Sequence, residues 1–273
     1  MSIINFSDQK IGFLGAGQMA QAICKGIIST GSVKGSQIIL ADRRNQAFPN
    51  YQDYGVAYLK DCKQVVKETK IIFICVKPNV VDEVLNDVKD LLTVDHLLIS
   101  VASGISLDIL KKRIPSNVPV IRMMPNTPCL VREGAATFCC DDNVRKEHEN
   151  IFDQLIKSNF PVLEKLSEKL IDASVGVSGS GPAYIYLIAE ALSDGGVKMG
   201  LPRDVSNRLA YQTIKGAGEM LLQTGEHPGL LKDKVCSPSG NTIHAIHELE
   251  RGSIRGTIIN AVEASACRWG KKM

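Results

Sequence analysis

Short unbroken apolar runs alternate with amphipathic stretches through the first half of the chain. The runs KIGFL (10–14), QIILA (37–41), VAYL (56–59), KIIFICV (70–76), HLLISV (96–101) and VPVIRM (118–123) read as strands. Helical periodicity near 18–30, 79–91 and 106–113 separates most of them. Strands that stay apolar along their length are buried on both faces, as in parallel sheets. Their alternation with helices predicts βαβ units in a doubly wound α/β sheet. AATFCC (135–140), a charged helix near 143–157 and FPVLE (160–164) extend that sheet.

After about Leu170 the strand-like runs stop and a 3.6-residue period takes over. Helices are predicted in PAYIYLIAEALSDGGVKMG, in LPRDVSNRLAYQTIKGAGEMLLQTG, in NTIHAIHELERG and near 254–268. Pro182 and Pro202 stand where a first-turn proline belongs, and Gly200 and Gly225 where helices stop. The division expected is an α/β domain at 1–168 and an all-helical domain at 169–273. Faces with few charges in the helical part predict that it completes its core by pairing with a second copy.

Composition narrows this picture. The 273 residues carry a net charge of only +3, which gives no basic field for nucleic acid. No apolar run is long enough to span a bilayer, and the N-terminus lacks a secretory or Arg-rich transit pattern, so the cytoplasm is the expected compartment. None of the eight cysteines has C-x-x-C spacing. Free thiols, several of them buried, are expected in a reducing compartment. His244 and His247 lie one helical turn apart, but no third ligand is near in sequence, so no metal is expected.

The candidate chemistry begins at GAGQMA, Gly15 to Ala20, a G-x-G-x-x-A pattern that follows a strand and opens a helix. Its first glycine permits a tight turn. Its second lets the backbone approach a diphosphate, and the small third residue lets helix pack on strand. The helix N-terminus then offers N–H groups and partial positive charge to the phosphates. Gly15, Ala16, Gly17, Gln18 and Met19 are therefore candidate dinucleotide-binding residues.

The end of the second strand carries two opposed signals. Asp42 is placed to accept from a ribose 2′-hydroxyl, which favours NAD. Arg43 and Arg44 offer planar donors to a 2′-phosphate, which favours NADP, or are surface charges leading a helix. NADP is expected, with NAD also used. Val76, Lys77 and Pro78 close the fourth strand at a carboxyl end of the sheet, where open α/β folds bind ligands. Val101, Ala102 and Ser103 end the fifth with small side chains that let a flat ring lie close to the backbone. In MMPNTP (123–128), Asn126 and Thr127 either face the nicotinamide or form part of a stiff connector.

Together these residues resemble the Δ1-pyrroline-5-carboxylate reductase family over nearly the whole chain. The resemblance rests on FLGAGQMA, CVKP, MPNTP, REGA (132–135), LIDASVGVSGSGPAY (170–184), DGGVKMGLPR (194–203) and HPGLLKDKVCSPSGNTIHAIHELERG (227–252). It implies a Rossmann domain followed by a helical dimerisation domain, in a homodimer or an assembly of dimers, with interlocked helical domains. It implies reduction of pyrroline-5-carboxylate to L-proline by NAD(P)H. The family's loop SPGGTT stands here as SPSGNT, with Ser237, Gly240, Asn241 and Thr242 as candidate substrate residues and Thr242 as the group bonding the ring nitrogen. Glu168 matches a position that approaches the substrate, or is a solvated helix-start carboxylate. SGSGP (178–182) resembles a hinge that packs the domains, from which Ser178 or Ser180 is a candidate to reach the substrate.

Several positions depart from the family pattern. Ser239 and Asn241 replace a glycine and a small residue. Lys234 and Cys62 stand where relatives carry asparagine, and Asp42 where a small or basic residue is frequent. The chemistry also follows from what the reaction needs. A helix beginning near Thr242, capped by that hydroxyl or by the Asn241 amide, would bind a carboxylate at its N-terminus. A protonated cyclic imine accepts hydride without a strong general acid, so positioning dominates. The alternatives are another imine reductase, a β-hydroxyacid-type dehydrogenase, or a non-catalytic NAD(P)-sensing protein. Lys198, near a helix end, does not match the mid-helix catalytic lysine of the β-hydroxyacid enzymes.

Overall fold

The structure, a computed structural model, describes residues 6, 9–31, 33–42 and 54–267. Eight strands form one sheet: β1 Ile11–Leu14, β2 Ile38–Ala41, β3 Ala57–Leu59, β4 Ile71–Ile74, β5 Leu97–Ser100, β6 Val120–Met124, β7 Ala135–Cys140 and β8 Val162–Lys165. Their order is β3-β2-β1-β4-β5-β6-β7-β8. The strand order reverses at β1, which pairs with β2 on one side and β4 on the other. This reversal opens a crevice beyond the carboxyl ends of those strands.

Helices α1 Gln18–Ser29, α2 Cys62–Glu68, α3 Pro78–Val88, α4 Leu107–Lys111, α5 Lys146–Ile156 and α6 Glu168–Ser174 accompany the sheet. The apolar strands are unbroken because both faces are covered. Ile11, Phe13, Ile71, Phe73, Leu97 and Ile99 join one core, whereas Leu14, Ile72, Ile74 and Leu98 join the other. Phe13 and Phe73 stack at 4.7 Å between ring centroids across the β1–β4 pair.

The sheet is parallel from β3 to β6, but β7 runs antiparallel to β6 and β8 runs parallel to β7. The connection 125–134 holds only a 3-10 turn, Thr127–Val131. A parallel return needs a longer crossover, so the chain doubles back.

Behind β6 the buried Arg122 side chain meets two carboxylates. Its Nη1 lies 3.1 Å from Glu168 Oε1 and its Nη2 2.6 Å from Asp172 Oδ1, both on α6. Residues 175–179 widen into a π-helical turn after α6.

The chain divides into two compact units, residues 1–179 with 266–273 and residues 180–265. The second contains α7 Gly181–Lys198, α8 Arg203–Thr224, α9 Pro228–Val235, α10 Asn241–Arg251 and most of α11 Ile254–Ala266. Pro182 lies in the first turn of α7, while Pro202 is the N-cap residue of α8, one step earlier than expected. Small residues let α7 and α8 cross closely. Ala189 and Ser193 are buried with Ser206 and Ala210, and Ser206 Oγ donates to the Ser193 carbonyl at 2.7 Å. Large apolar side chains of this unit lie outside that seam, with Leu187 68% and Leu222 72% exposed.

The eight cysteines are free thiols. Among the described residues, no helix is long and apolar enough to cross a membrane, and no three His, Cys, Asp or Glu side chains group as metal ligands.

Candidate functional site

The glycine loop between β1 and α1 is built for close approach. Gly15 has φ +100°, a conformation that L side chains rarely adopt. A Cβ there would stand 2.7 Å from the Cys75 carbonyl oxygen. Gly15 N–H donates to the Ala41 carbonyl at 2.7 Å, and Cys75 N–H to the Leu14 carbonyl at 2.8 Å, so the loop is fastened to both neighbouring strands. Gly17 is the N-cap residue of α1, and no side chain caps the helix. Open space surrounds the position where a Gly17 Cβ would stand. First-turn N–H groups lack intrahelical partners, so an uncapped N-terminus suits a phosphate. Ala20 is fully buried, which is the helix–sheet contact its small size permits.

This loop forms the floor of a cleft of about 700 Å³. Gly15, Gly17, Gln18 and Met19 line it from the loop, and Ala41 and Asp42 from the end of β2. Val76, Lys77 and Pro78 line it after β4, and Val101, Ala102 and Ser103 after β5. Lys77 is the N-cap residue of α3 and Pro78 begins that helix, so the proline has a structural role as well. Residues 43 and 44 lie outside the described residues, so the two arginines are not placed. Ala16 is buried, and its N–H donates to Asp42 Oδ2 at 3.0 Å.

The cleft also contains residues absent from the expected set. Cys62 opens α2 beside it, and Val80 and Val84 project from α3. The i, i+4 spacing of the two valines after Pro78 marks one helix face and is the signal that finds them. Cys75 lines the cleft too, but burial pushes its thiol up, with Cys24 adding to the shift. Burial raises Cys24 to about 12, so both thiols stay protonated and unreactive near neutral pH.

Asn126 is placed outside the cleft lining. It is buried, and its Oδ1 accepts from Ala135 N–H at 2.9 Å, tying the β6–β7 connection to the start of β7. Glu168 starts α6 without being a free solvated carboxylate. Besides pairing with Arg122, its Oε1 accepts from Leu107 N–H at 2.6 Å. Ser178 lies in the π-helical turn and donates to the Ser174 carbonyl at 3.1 Å.

In the helical unit, the segment 237–242 bends sharply. Gly240 N–H donates to the Ser237 carbonyl at 3.0 Å, and Ser239 takes φ +55°. A Cβ on Gly240 would overlap Ser237 Oγ, so glycine is needed there for space. Gly240 is the N-cap residue of α10, and no side chain caps the helix. This corrects the expected cap: Asn241 and Thr242 are already in the first turn, leaving both side chains uncommitted to capping. Lys234 Nζ donates to Glu226 Oε1 at 2.7 Å across α9. His244 and His247 are exposed on α10.

Comparisons with known proteins identify the family. Residues 168–271 match the family model described as pyrroline-5-carboxylate reductase dimerisation, and residues 10–104 match NADP oxidoreductase coenzyme F420-dependent. Pyrroline-5-carboxylate reductase of Glycine max is 46% identical over 259 residues, 94% of each chain. Pyrroline-5-carboxylate reductase 3 of Danio rerio is 41% identical over 95% of this chain and 90% of that protein. Among solved structures, Plasmodium falciparum pyrroline carboxylate reductase with NADP bound superposes with a TM-score of 0.88 at 34% identity, covering 96% of this chain and 97% of that one. The Coxiella burnetii pyrroline-5-carboxylate reductase gives 0.87 at 32% identity, with the same coverage. Matched at this identity along almost its entire length, the chain belongs to the pyrroline-5-carboxylate reductase family.

Proposed function

We propose that this oxidoreductase catalyses its family's reaction, hydride transfer from NAD(P)H to the C=N bond of 1-pyrroline-5-carboxylate to give L-proline, with NADP(H) as the principal cofactor. The fit of the glycine loop to a diphosphate carries the reading: Gly15 is forced into a left-handed turn against Cys75, and Gly17 leaves the uncapped start of α1 open. Gly15, Ala16, Gly17, Gln18 and Met19 would hold the diphosphate. Asp42, with Arg43 and Arg44, would meet the adenosine ribose. Val76 to Pro78 and Val101 to Ser103 would border the rest of the dinucleotide. When bound, the reduced nicotinamide supplies the hydride.

The rest of the work falls to the chain. The uncapped N-terminus of α10 presents first-turn N–H groups, that of Asn241 among them, to the substrate carboxylate, with Ser237 and Gly240 shaping the bend that precedes it. The half-buried Thr242 hydroxyl hydrogen-bonds the ring nitrogen and fixes the face of the ring that is reduced. Ser178 contributes from the π-helical turn. Glu168 acts through Arg122, holding α6 against β6. The iminium arrives protonated, so orientation and exclusion of water account for most of the rate.

The segment 169–273 serves as the dimerisation and substrate domain. Its exposed apolar side chains support a homodimer, and its free thiols suit the cytoplasm. The test is consumption of NADPH and NADH with pyrroline-5-carboxylate. Substrate-dependent oxidation with proline formed in equal amount is expected. A folded protein that oxidises neither would overturn the assignment.

A further inference from the structure

Arg122 is the one buried lysine or arginine among the described residues. Taking a guanidinium out of water is costly, and where packing alone is required an apolar side chain of similar volume serves as well or better. Its two carboxylate partners lie one turn apart on α6 but differ in reach. Asp172 Oδ1 accepts from Arg122 Nη2 alone. Glu168 Oε1 accepts from Arg122 Nη1 and also from Leu107 N–H, at 3.1 and 2.6 Å. Leu107 opens α4, so its N–H has no partner inside the helix. The N-cap residue Ser106 serves Ile109 N–H instead, at 3.2 Å. The Leu107 bond closes off a segment that borders the cleft, since Gly104, Ile105 and Ser106 join Leu107 to the lining residues Val101, Ala102 and Ser103. That segment is lightly held. The Ala102 and Ile105 N–H groups make long bonds of 3.4 Å, and Gly104 takes φ +75°. Among the described residues, Glu168 is the side chain from a distant element that hydrogen-bonds residues 101–107.

We propose that Arg122 is a positioning residue for the cofactor: its guanidinium holds the Glu168 carboxylate against Leu107 N–H, and this relay fixes the 101–106 segment in the shape that borders the bound dinucleotide. The inference rests on the cleft being the cofactor site. Charge-assisted bonds from two donors converge on one carboxylate oxygen, so Arg122 sets the direction from which Glu168 meets Leu107. Asp172 engages the other nitrogen of the planar fork and stops the guanidinium from turning. The relay thus runs from β6 through α6 to the start of α4. Arg122 touches neither substrate nor cofactor, and it acts only through the backbone it places.

Four variants of the full chain separate this role from packing. Arg122→Met keeps the bulk and removes the fork. Glu168→Ala cuts the relay while leaving Arg122 its Asp172 partner, so the role stays testable if the buried substitution prevents folding. Glu168→Gln keeps an oxygen able to accept from both donors. Asp172→Asn removes an equal charge from the same helix and touches no bond to Leu107. Fluorescence titration gives the NADPH dissociation constant, hydrogen exchange follows the Leu107 amide, and steady-state rates split KM for NADPH from kcat. Arg122→Met and Glu168→Ala should each weaken NADPH binding by about tenfold, raise its KM more than they change kcat, and speed Leu107 exchange. Glu168→Gln should return to within about threefold of the parent protein, and Asp172→Asn should stay there. Parent-like NADPH binding or parent-like Leu107 exchange, in whichever of Arg122→Met and Glu168→Ala folds, overturns the role. Equal weakening by Asp172→Asn overturns it too, because the stability of α6 alone would then explain the loss. A parent protein that binds no NADPH overturns the cofactor reading itself.

Discussion

Asn159 occupies the space that Gly26 leaves empty. Its Nδ2 donates to the Ala22 carbonyl of α1 at 3.0 Å, and a Cβ on Gly26 would overlap its carboxamide. Asn159 is completely buried, and its own carbonyl accepts from Gly134 N–H at 2.9 Å. One residue, through its side chain on one side and its backbone carbonyl on the other, thus links the helix behind the glycine loop to the start of β7. Gly26→Ala should cost about 2–4 kcal/mol, from overpacking and from displacing a buried polar group. Urea denaturation measures it, and a loss below about 0.5 kcal/mol would show that the carboxamide moves aside freely.

Ser239 carries backbone strain of a different kind, since a serine is held at φ +55° on the exposed bend before α10. Glycine adopts this conformation without a steric cost, though it also loosens the unfolded chain. Ser239→Gly should therefore stabilise the protein by about 0.5–1 kcal/mol, and Ser239→Val should destabilise it by more than that. Thermal unfolding of the three proteins gives the order. Equal midpoints for glycine and valine would remove strain from the account.

What could be read from the sequence follows the physics of burial. The strands of the sheet were legible because apolar side chains enter a core on both faces, as with Phe13 on one side and Leu14 on the other. The direction of β7 was not, since periodicity carries no sense of direction and only the short 125–134 connection forces the reversal. At the site, Gly15 and Gly17 were legible through the G-x-G-x-x-A spacing, and the left-handed φ of Gly15 and the open space at Gly17 are consistent with it. The Arg122–Glu168 pair joins positions far apart in sequence, and no local pattern reports it. Asn241 and Thr242 rank among favourable caps, yet the bend at Ser239 delivers Gly240 to the cap position instead.

His96 makes stability depend on pH. It is buried, its Nδ1 accepts from Thr93 N–H at 3.0 Å, and its Nε2 therefore carries the proton donated to the Val66 carbonyl at 3.3 Å. Burial first, with Lys70 adding to it, lowers the pKa below the ordinary 6.5 despite the opposing Val66 and Thr93 bonds and the Asp95 charge. The unfolded chain then takes up a proton that the folded chain resists. Stability is fully present above about pH 6.5 and falls as pH drops from there towards the folded pKa. One such group contributes a slope of at most about 1.4 kcal/mol per pH unit. His96→Gln should flatten the dependence between pH 7 and 5 measured by denaturant unfolding. An unchanged slope would assign the acid sensitivity elsewhere, first to His148, whose pKa burial also lowers.

Thr242 provides the sharpest test of the proposed chemistry, because the structure separates its function from helix stability. Were it the N-cap residue, Thr242→Ala would cost about 1 kcal/mol of stability and confuse any loss of activity. With Gly240 at the cap and Thr242 inside the first turn, that penalty is absent. Alanine also has the higher helix propensity, so the variant should be as stable as the parent or slightly more so. A hydroxyl that orients the ring nitrogen should nevertheless be missed in turnover. The expected loss in kcat is about 10–100-fold, with NADPH affinity unchanged because the glycine loop is untouched. Thr242→Ser retains the hydroxyl and should recover most of the rate. If the serine variant fails as badly as alanine, the methyl group packs the helix start and the hydroxyl has no part in the reaction.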